Sequence, residues 1–379
     1  MQIQRFKKPV FKALANYEER AGLSNGDTVH RPYRSTMRVR DYTKGTAVTI
    51  GDISSTDESL AVNTTKVVAF YVDDLDDLQN KYATVNTFAY DAGIELWNFI
   101  DGQFLGQYTT AVSTITDTDI GGAATGAAIV SVATIPKLFS AAAKKLDRQN
   151  IGREKRFAVI SPTIHQLLVE RMDGKDSALG DSTGMNGHIG KYMGFELYLS
   201  NALTFTATWT PANNPSDADT VTINGVVFTF KTTPVLAGAV DIGGTTADTL
   251  ANLVLAINGT GTPGSTTYIV LSDANQKTLE GTVAAENDTT LTIVYNGGSE
   301  SVVAASETAD PWSLQVTHQL FGEKGATDLV IQKEPNVNFK EVPDKLGKNV
   351  LPWTLYGIKT FREGTLALVD VQVATTSLV

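Results

Sequence analysis

The sequence predicts an α+β chain organised around one exceptionally long helix, with a compositionally foreign block set into its second half. Three observations carry this. First, Leu75, Leu78, Tyr82, Val85, Ala89, Ala92, Leu96 and Phe99 recur at alternating spacings of three and four, which draws an apolar stripe down one side of a helix. That segment, about residues 74–107, is roughly three times the ~11–12 residues of an average helix and would span about 50 Å. Second, short runs of β-branched and aromatic residues, broken by turn residues, stand on both sides of it. Third, residues 204–315 carry eleven acidic residues against two basic ones, Lys231 and Lys277, for a net of −9. The other parts of the 379-residue chain hold 30 acidic and 29 basic residues. The block also lacks His, Met and Arg, so composition places a boundary on each side of it.

In chain order, residues 1–28 are expected to form a basic arm (Arg5, Lys7, Lys8, Lys12) with a short helix between residues 12 and 20. Residues 29–72 turn to strand period. RSTMRVR sets Arg34, Thr36, Arg38 and Arg40 against Met37 and Val39. Thr43-Lys44-Gly45 supplies a turn, and residues 61–72 return as a second strand. A long hairpin results, with little to bury at its tip. Two strands alone are marginal in water, so it is expected to need a neighbour. Residues 73–132 hold the spine helix, whose start collects Asp73, Asp74, Asp76 and Asp77, where free N–H groups and the helix dipole favour negative charge.

Residues 133–203 read as a mixed α/β body. A helix capped by Thr134, with Pro136 in its first turn, shows Leu138, Ala142 and Leu146 on one face. A buried strand follows at 156–160, then a helix opened by Ser161-Pro162 and carrying Ile164, Leu167, Leu168 and Met172. Within 204–315, TVTINGVVFTFK is a hairpin turning at Asn224-Gly225. Residues 246–258 are a helix with Leu250, Leu253, Val254 and Ile257 on one side, and strands are expected at 267–271, 278–284 and 290–295. Together these make a small β-rich α+β domain. Residues 316–379 are expected to be polar and extended over 332–345 and to close as a hairpin over 355–373, turning at Glu363-Gly364.

The order of these parts resembles the major capsid proteins of tailed phages with the Hong Kong 97 fold. FYVDDLDDLQ leading into the spine, RFAVISP, GHIGKYMGFELYLSN, GATDLVIQ and LYGIKTFREGTLALVDV are similar to runs in that family. The likeness covers about residues 1–203 and 316–379. The acidic block is similar to the inserted domains of short-tailed phage coat proteins, and DTVTINGVVFTFK looks like modules of several phage structural proteins. The resemblance implies an N-terminal arm (1–28), an extended hairpin loop (29–72), a peripheral domain with the spine (73–132), an axial body domain (133–203), an inserted domain (204–315), and a return to body and peripheral domains (316–379).

It implies a coat protein, not an enzyme, with no cofactor or metal. Hexamers and pentamers would close an icosahedral head around double-stranded DNA held non-specifically. The chain would be a virion capsid component assembled in the host cytoplasm with no membrane partner, working with a portal and an optional decoration protein. No cleavable N-terminal scaffolding segment is visible, so a separate scaffolding protein is expected. The alternative is a head-decoration or tail-adhesin binding module built on the acidic block.

Signals for catalysis are poor. His30, His165, His188 and His318 stand in no HExxH or paired-ligand spacing, and no GxSxG elbow occurs. The aspartates at 73–77 lack the spacing and glycine of a calcium loop. The glycines at 121, 122, 126, 243 and 244 lack the lysine of a phosphate cradle. With no cysteine, disulfides and cysteine zinc sites are excluded. No window approaches the ~18 apolar residues of a membrane span, and MQIQRFKKPVF lacks the apolar run of a secretory signal. The residues expected to act are therefore assembly residues: Arg34, Arg38, Arg40 and Lys44 on the hairpin, and Leu75, Leu78, Tyr82, Val85, Leu96 and Phe99 in the spine's seam. Some members of the resembled family join subunits by a lysine–asparagine isopeptide bond. Lys44 and Asn336 or Asn338 are the residue types for it, though nothing in their local sequence demands it.

Overall fold

The computed structural model describes residues 9–17, 28–34, 37, 39–48, 55–73, 84–123, 126–173, 190–296, 303–305, 312, 314–342 and 346–374. It divides into two units: Met1–Leu14 with Asn98–Lys324 and Glu363–Val379, and Ala15–Trp97 with Gly325–Arg362.

Helix α1 (Phe11–Leu14) is a single turn, opened by the Asp101 carboxylate, which accepts the N–H groups of Val10 and Phe11 at 2.8 and 2.9 Å. Strand β1 (Thr28–Arg34) pairs antiparallel with β2 (Ser55–Ala61). The expected return strand over 61–72 is corrected: it breaks into β3 (Thr64–Val67) and β4 (Phe70–Asp73), which pair elsewhere. Asp73 ends a strand rather than opening a helix; Asp74, Asp76 and Asp77 lie outside the described residues.

The spine, α2 (Thr84–Leu105), is 22 residues long. Its buried positions are Ala89, Ala92, Leu96, Ile100, Asp101, Gly102, Phe104 and Leu105. Leu96 sits in this seam as expected. Phe99 is only half-buried and Ile100 takes the buried place, because a straight 3.6-residue helix drifts about 20° per heptad from a strict seven-residue repeat. Leu75, Leu78 and Tyr82 fall outside the described residues, as does the side chain of Val85.

After a 3₁₀ turn (Gly106–Thr110) and β5 (Ser113–Ile115), a second 3₁₀ turn (Asp117–Ile120) leads to α3 (Ile135–Arg148). Thr134 does not cap α3; its hydroxyl accepts the Ser131 N–H at 2.8 Å instead. Strand β6 (Arg156–Ile160) is buried throughout, and Ser161 caps α4 (Pro162–Met172) through the Ile164 N–H. Then come β7 (Lys191–Tyr192) and β8 (Phe195–Leu199), joined by Met193-Gly194, both at positive φ. Ile135, Leu138, Phe139, Ala142 and Leu146 of α3 and Ile164 and Leu168 of α4 share one apolar core with Phe195, Phe321, Val369 and Val371.

The acidic block contributes β9 (Thr204–Trp209), β10 (Thr220–Ile223), β11 (Val226–Lys231), β12 (Ala239–Asp241), α5 (Thr246–Asn258), α6 (Asp273–Thr278), β13 (Thr282–Glu286), β14 (Leu291–Asn296) and β15 (Val303–Ala305). Asn224 and Gly225 turn the β10–β11 hairpin at φ 51 and 81, as its sequence requires. Two strand expectations are corrected. Residues 267–271 make a single bridge, Tyr268 to Val240, and the strand expected over 278–284 begins only at Thr282, because Thr278 ends a helix, residues 273–278, that Ser272 caps through the Asn275 N–H. The block has its own core, in which Phe205, Trp209, Phe228, Phe230, Leu250, Leu253 and Ile293 are buried.

The chain ends with β16 (Leu314–Glu323), β17 (Asp328–Glu341), β18 (Gly347–Lys359), α7 (Arg362–Leu366) and β19 (Leu368–Ala374). The closing hairpin over 355–373 is corrected: Glu363 and Gly364 lie in a helix, β18 pairs with β17, and β19 pairs with β16 and β5. β18 finds in β17 an adjacent strand of matching length, and pairing follows that longer complementary edge. One sheet runs β13-β14-β9-β16-β6-β8-β7, with β19 on the other edge of β16. Strand β16 thus carries β9 of the block and β6 of the body end to end along a single edge. The expected boundary at residue 315 falls inside this strand.

Candidate assembly interface

In the Ala15–Trp97 and Gly325–Arg362 unit, the root of the β1–β2 hairpin is tightly fastened. Alternation along β1 turns Arg31 toward Asp328, whose carboxylate it meets at 3.2 and 3.3 Å. The Asp328 side chain is 2% exposed and also accepts the Asn16 amide at 2.8 Å. The Arg31 guanidinium lies 4.3 Å from the Phe361 ring centre, and Arg362 covers Tyr33 at 4.7 Å. Arg362 N–H donates to Glu58 at 3.1 Å. Leu60, Val62, Val330 and Phe361 close a small apolar cluster beneath. At Gly357 a Cβ would meet the Ala61 carbonyl at 2.4 Å, so only glycine lets β18 pass under β2.

The far end of this hairpin is the opposite. Residues 37 and 39–48 are all exposed, including Met37, Tyr42, Val48 and Val39, the last at 94%. Thr43 to Thr46 form a turn: Gly45 has φ 87 and the Thr46 N–H donates to the Thr43 carbonyl at 3.1 Å. Arg40 and Lys44 project there with these apolar groups. Of the expected strand through RSTMRVR, Arg34 belongs to β1, and Met37, Val39 and Arg40 lie outside any strand among the described residues. Arg38 lies outside the described residues, as does the side chain of Arg34. The same unit shows a second bare end, where Phe339 and Leu346 are exposed beside Tyr71, whose hydroxyl donates to the Leu346 carbonyl at 2.9 Å. Asn336 and Asn338 are exposed along β17.

The other unit contains a polar constellation that spacing did not reveal. His318 on β16 donates its Nδ1–H to the Asp370 carboxylate of β19 at 3.0 Å, and its Nε2 meets Thr206 Oγ1 of β9 at 2.9 Å. The order hydroxyl, imidazole, carboxylate is that of a nucleophile, base and orienter. Here, however, the imidazole is 6% exposed and covered by the Tyr108 ring, stacked at 3.9 Å. Burial, and then the Asp370 charge, push the Tyr108 phenol up to about 12. The arrangement locks three strands and a turn together. The three side chains lie 112 and 52 residues apart, so no local motif could have found it. His30 is exposed against Asp57, His165 is half-buried in α4, and His188 lies outside the described residues. Among the described residues, no three His, Cys, Asp or Glu side chains are grouped to hold a metal, and no helix is long and apolar enough to cross a membrane.

No protein-family model and no curated protein matches this chain. Solved structures do. A structure from Mycobacterium phage Che8 aligns over 98% of this chain and 93% of its own with TM-score 0.57 at 17% identity. The capsid structure of the cyanophage P-SCSP1u aligns over 99% and 90% with TM-score 0.53 at 14% identity. The asymmetric unit of the bacteriophage PhiM1 mature capsid aligns over 98% and 89% with TM-score 0.50 at 13% identity. The chain therefore shares its fold, nearly end to end, with phage capsid structures.

Proposed function

We propose that this protein is a major capsid subunit of the Hong Kong 97 type, which self-assembles into capsomers and an icosahedral phage head around double-stranded DNA. The observation that carries the reading is the likeness to phage capsid structures over 99% and 98% of the chain. A decoration or adhesin module built on residues 204–315 would resemble such structures through that block alone. The hairpin supports the reading physically. Its root is fixed by an ion pair and stacked cations, while its tip holds Met37, Val39, Tyr42 and Val48 in solvent beside Arg40 and Lys44. Exposed apolar groups rimmed by charge are the pattern of a contact waiting for a second surface.

In this reading the arm, hairpin loop, spine-bearing peripheral domain and axial body follow the limits 1–28, 29–72, 73–132 and 133–203, with 316–379 returning to both domains. The acidic block, 204–315, faces outward, away from dense phosphate charge whose repulsion is only partly screened over a Debye length of ~8 Å. Hexamers and pentamers, a portal, a separate scaffolding protein and an optional decoration protein complete the assembly, which takes place in the host cytoplasm. The role is structural rather than catalytic. Negative-stain imaging and sedimentation of the purified chain, alone and co-expressed with its scaffolding partner, test it. Shells or capsomers are expected; a chain that stays monomeric or trimeric in both settings refutes the reading. Limited proteolysis of intact particles should cut within the acidic block.

A further inference from the structure

Helix α3 spends its apolar face on the body core and presents an opposite face of unusual charge. Lys137, Lys144 and Arg148 are exposed. At seven and eleven residues from Lys137 they fall within about 20° of it around a 3.6-residue helix, in a row about 16 Å long. Carboxylates are near but already engaged. Asp147, the only acidic residue on α3, binds Arg153 and Arg156, each at 2.6 Å. Asp119, across the groove, binds Lys145 at 2.9 Å. The groove between α3 and the Asp117–Ile120 turn measures about 360 Å³ and is lined by Lys137, Lys144, Lys145 and Arg148 against that single carboxylate.

This pattern works against the helix itself. Lys137 stands in the first turn, where the dipole favours anions, and Lys144 and Arg148 are like charges one turn apart, which repel. Lys145 and Arg148 in the last turn are explained by the dipole; Lys137 is not. A row of cations kept against helix electrostatics, beside carboxylates that others have claimed, matches a ligand with its own row of negative charge. We propose that this face binds the phosphodiester backbone of duplex DNA, without regard to sequence. The proposal rests on the capsid reading for its setting, the packaged genome, but not for its chemistry. B-DNA offers one charge per about 1.7 Å of axis, so a 16 Å row meets several phosphates. Repetition over many subunits would multiply a weak contact.

The test uses the full chain and a short random-sequence duplex, with affinity followed as salt is raised. Three phosphate contacts correspond to a slope of log affinity on log salt of about −2.7, or about 40-fold weakening between 50 and 200 mM salt. The Lys137→Glu, Lys144→Glu, Arg148→Glu variant should keep its melting curve and its shells while losing that share of the slope. An unchanged slope in the folded variant overturns the proposal. So does a variant that melts normally and binds DNA as before but no longer forms shells, because the face then meets the acidic surface of another copy. If the triple variant does not fold, Lys137→Gln and Arg148→Gln singly should each lower the slope by about 0.9; no change in either is equally fatal. A wild-type chain that forms no shells yet shows the slope, and loses it on substitution, would cost the capsid reading and leave the binding face standing.

Discussion

Arg31→Leu should free the hairpin without unfolding the protein. The substitution removes a guanidinium held at 3.2 and 3.3 Å from the Asp328 carboxylate and 4.3 Å from the Phe361 ring. Removing one partner of a fully buried ion pair costs about 3–5 kcal/mol. The Arg31 side chain is 35% exposed against 2% for Asp328, so water already screens one end, and about 2 kcal/mol is the better figure. Losing the contact with Phe361 adds ~0.5–1 kcal/mol. Because the chain has two units, a single melting temperature would blur the effect. The measurement is amide hydrogen exchange of β1 and β2, whose opening should quicken by roughly 70- to 160-fold at ~1.36 kcal/mol per decade. Adding Asp328→Asn to Arg31→Leu removes the stranded charge and should recover at least half of the loss. If the single and double variants exchange alike, an uncompensated carboxylate is not what the root resists, and the argument fails.

Three further outcomes are expected. Arg38→Glu with Arg40→Glu should leave the monomer's circular dichroism and melting unchanged and impair shell formation, each lost contact being worth ~0.2–1 kcal/mol but repeated across a shell; wild-type assembly at physiological salt would discard the hairpin's role. Leu96→Asp places a charge where the side chain is buried, costing several kcal/mol and giving insoluble chains; a soluble variant with the native melting curve would show the seam to be misplaced. Alkaline pH should destabilise both units. Burial raises Tyr356 to about 12, as burial and Asp370 raise Tyr108, so the stability they confer is complete below pH ~10 and falls toward pH 12 by about 1.4 kcal/mol per unit for each. Tyr356→Phe removes a buried hydroxyl that has no hydrogen-bond partner among the described residues and should flatten that fall in its own unit; a phenolate absorbance titration showing Tyr356 ionising near 10 would contradict this.

Elements written in local chemistry were legible from the sequence. The Asn224-Gly225 turn needs positive φ at both residues, and the 246–258 helix carries a Thr245–Asp248 capping box and a Gly259 stop in the left-handed region. What stayed hidden was pairing over distance. Residues 355–359 and 368–373 are both apolar enough to pair with each other, and local period does not say that each has a better edge elsewhere. The interface was half legible for the same reason. Arg40 and Lys44 stand exposed at the tip, but the residue that fastens the root, Arg31, belongs with Asp328, 297 positions away. Asp101 was missed inside the spine because a polar residue on a helix reads as solvated until its partner, here the start of α1, is known.

The shared edge of β16 sets where foreign cargo can be spliced into this protein. Excising residues 204–315 would strip β9 from β16 and leave an open strand edge, an invitation to edge-to-edge aggregation. A better splice lies further out, where Trp209 sits opposite Leu291 and the hydroxyls of Thr210 and Thr290 are 3.3 Å apart. Two neighbouring ends suit any guest whose own termini lie close together. Such a graft would uncover Phe205, Ala207 and Trp209 of β9 and Leu291 and Ile293 of β14, buried now in the block's core, and would bare the edge of β14 that β13 covers, so these side chains and that edge must be made polar or covered by the guest before the stub can serve as a socket.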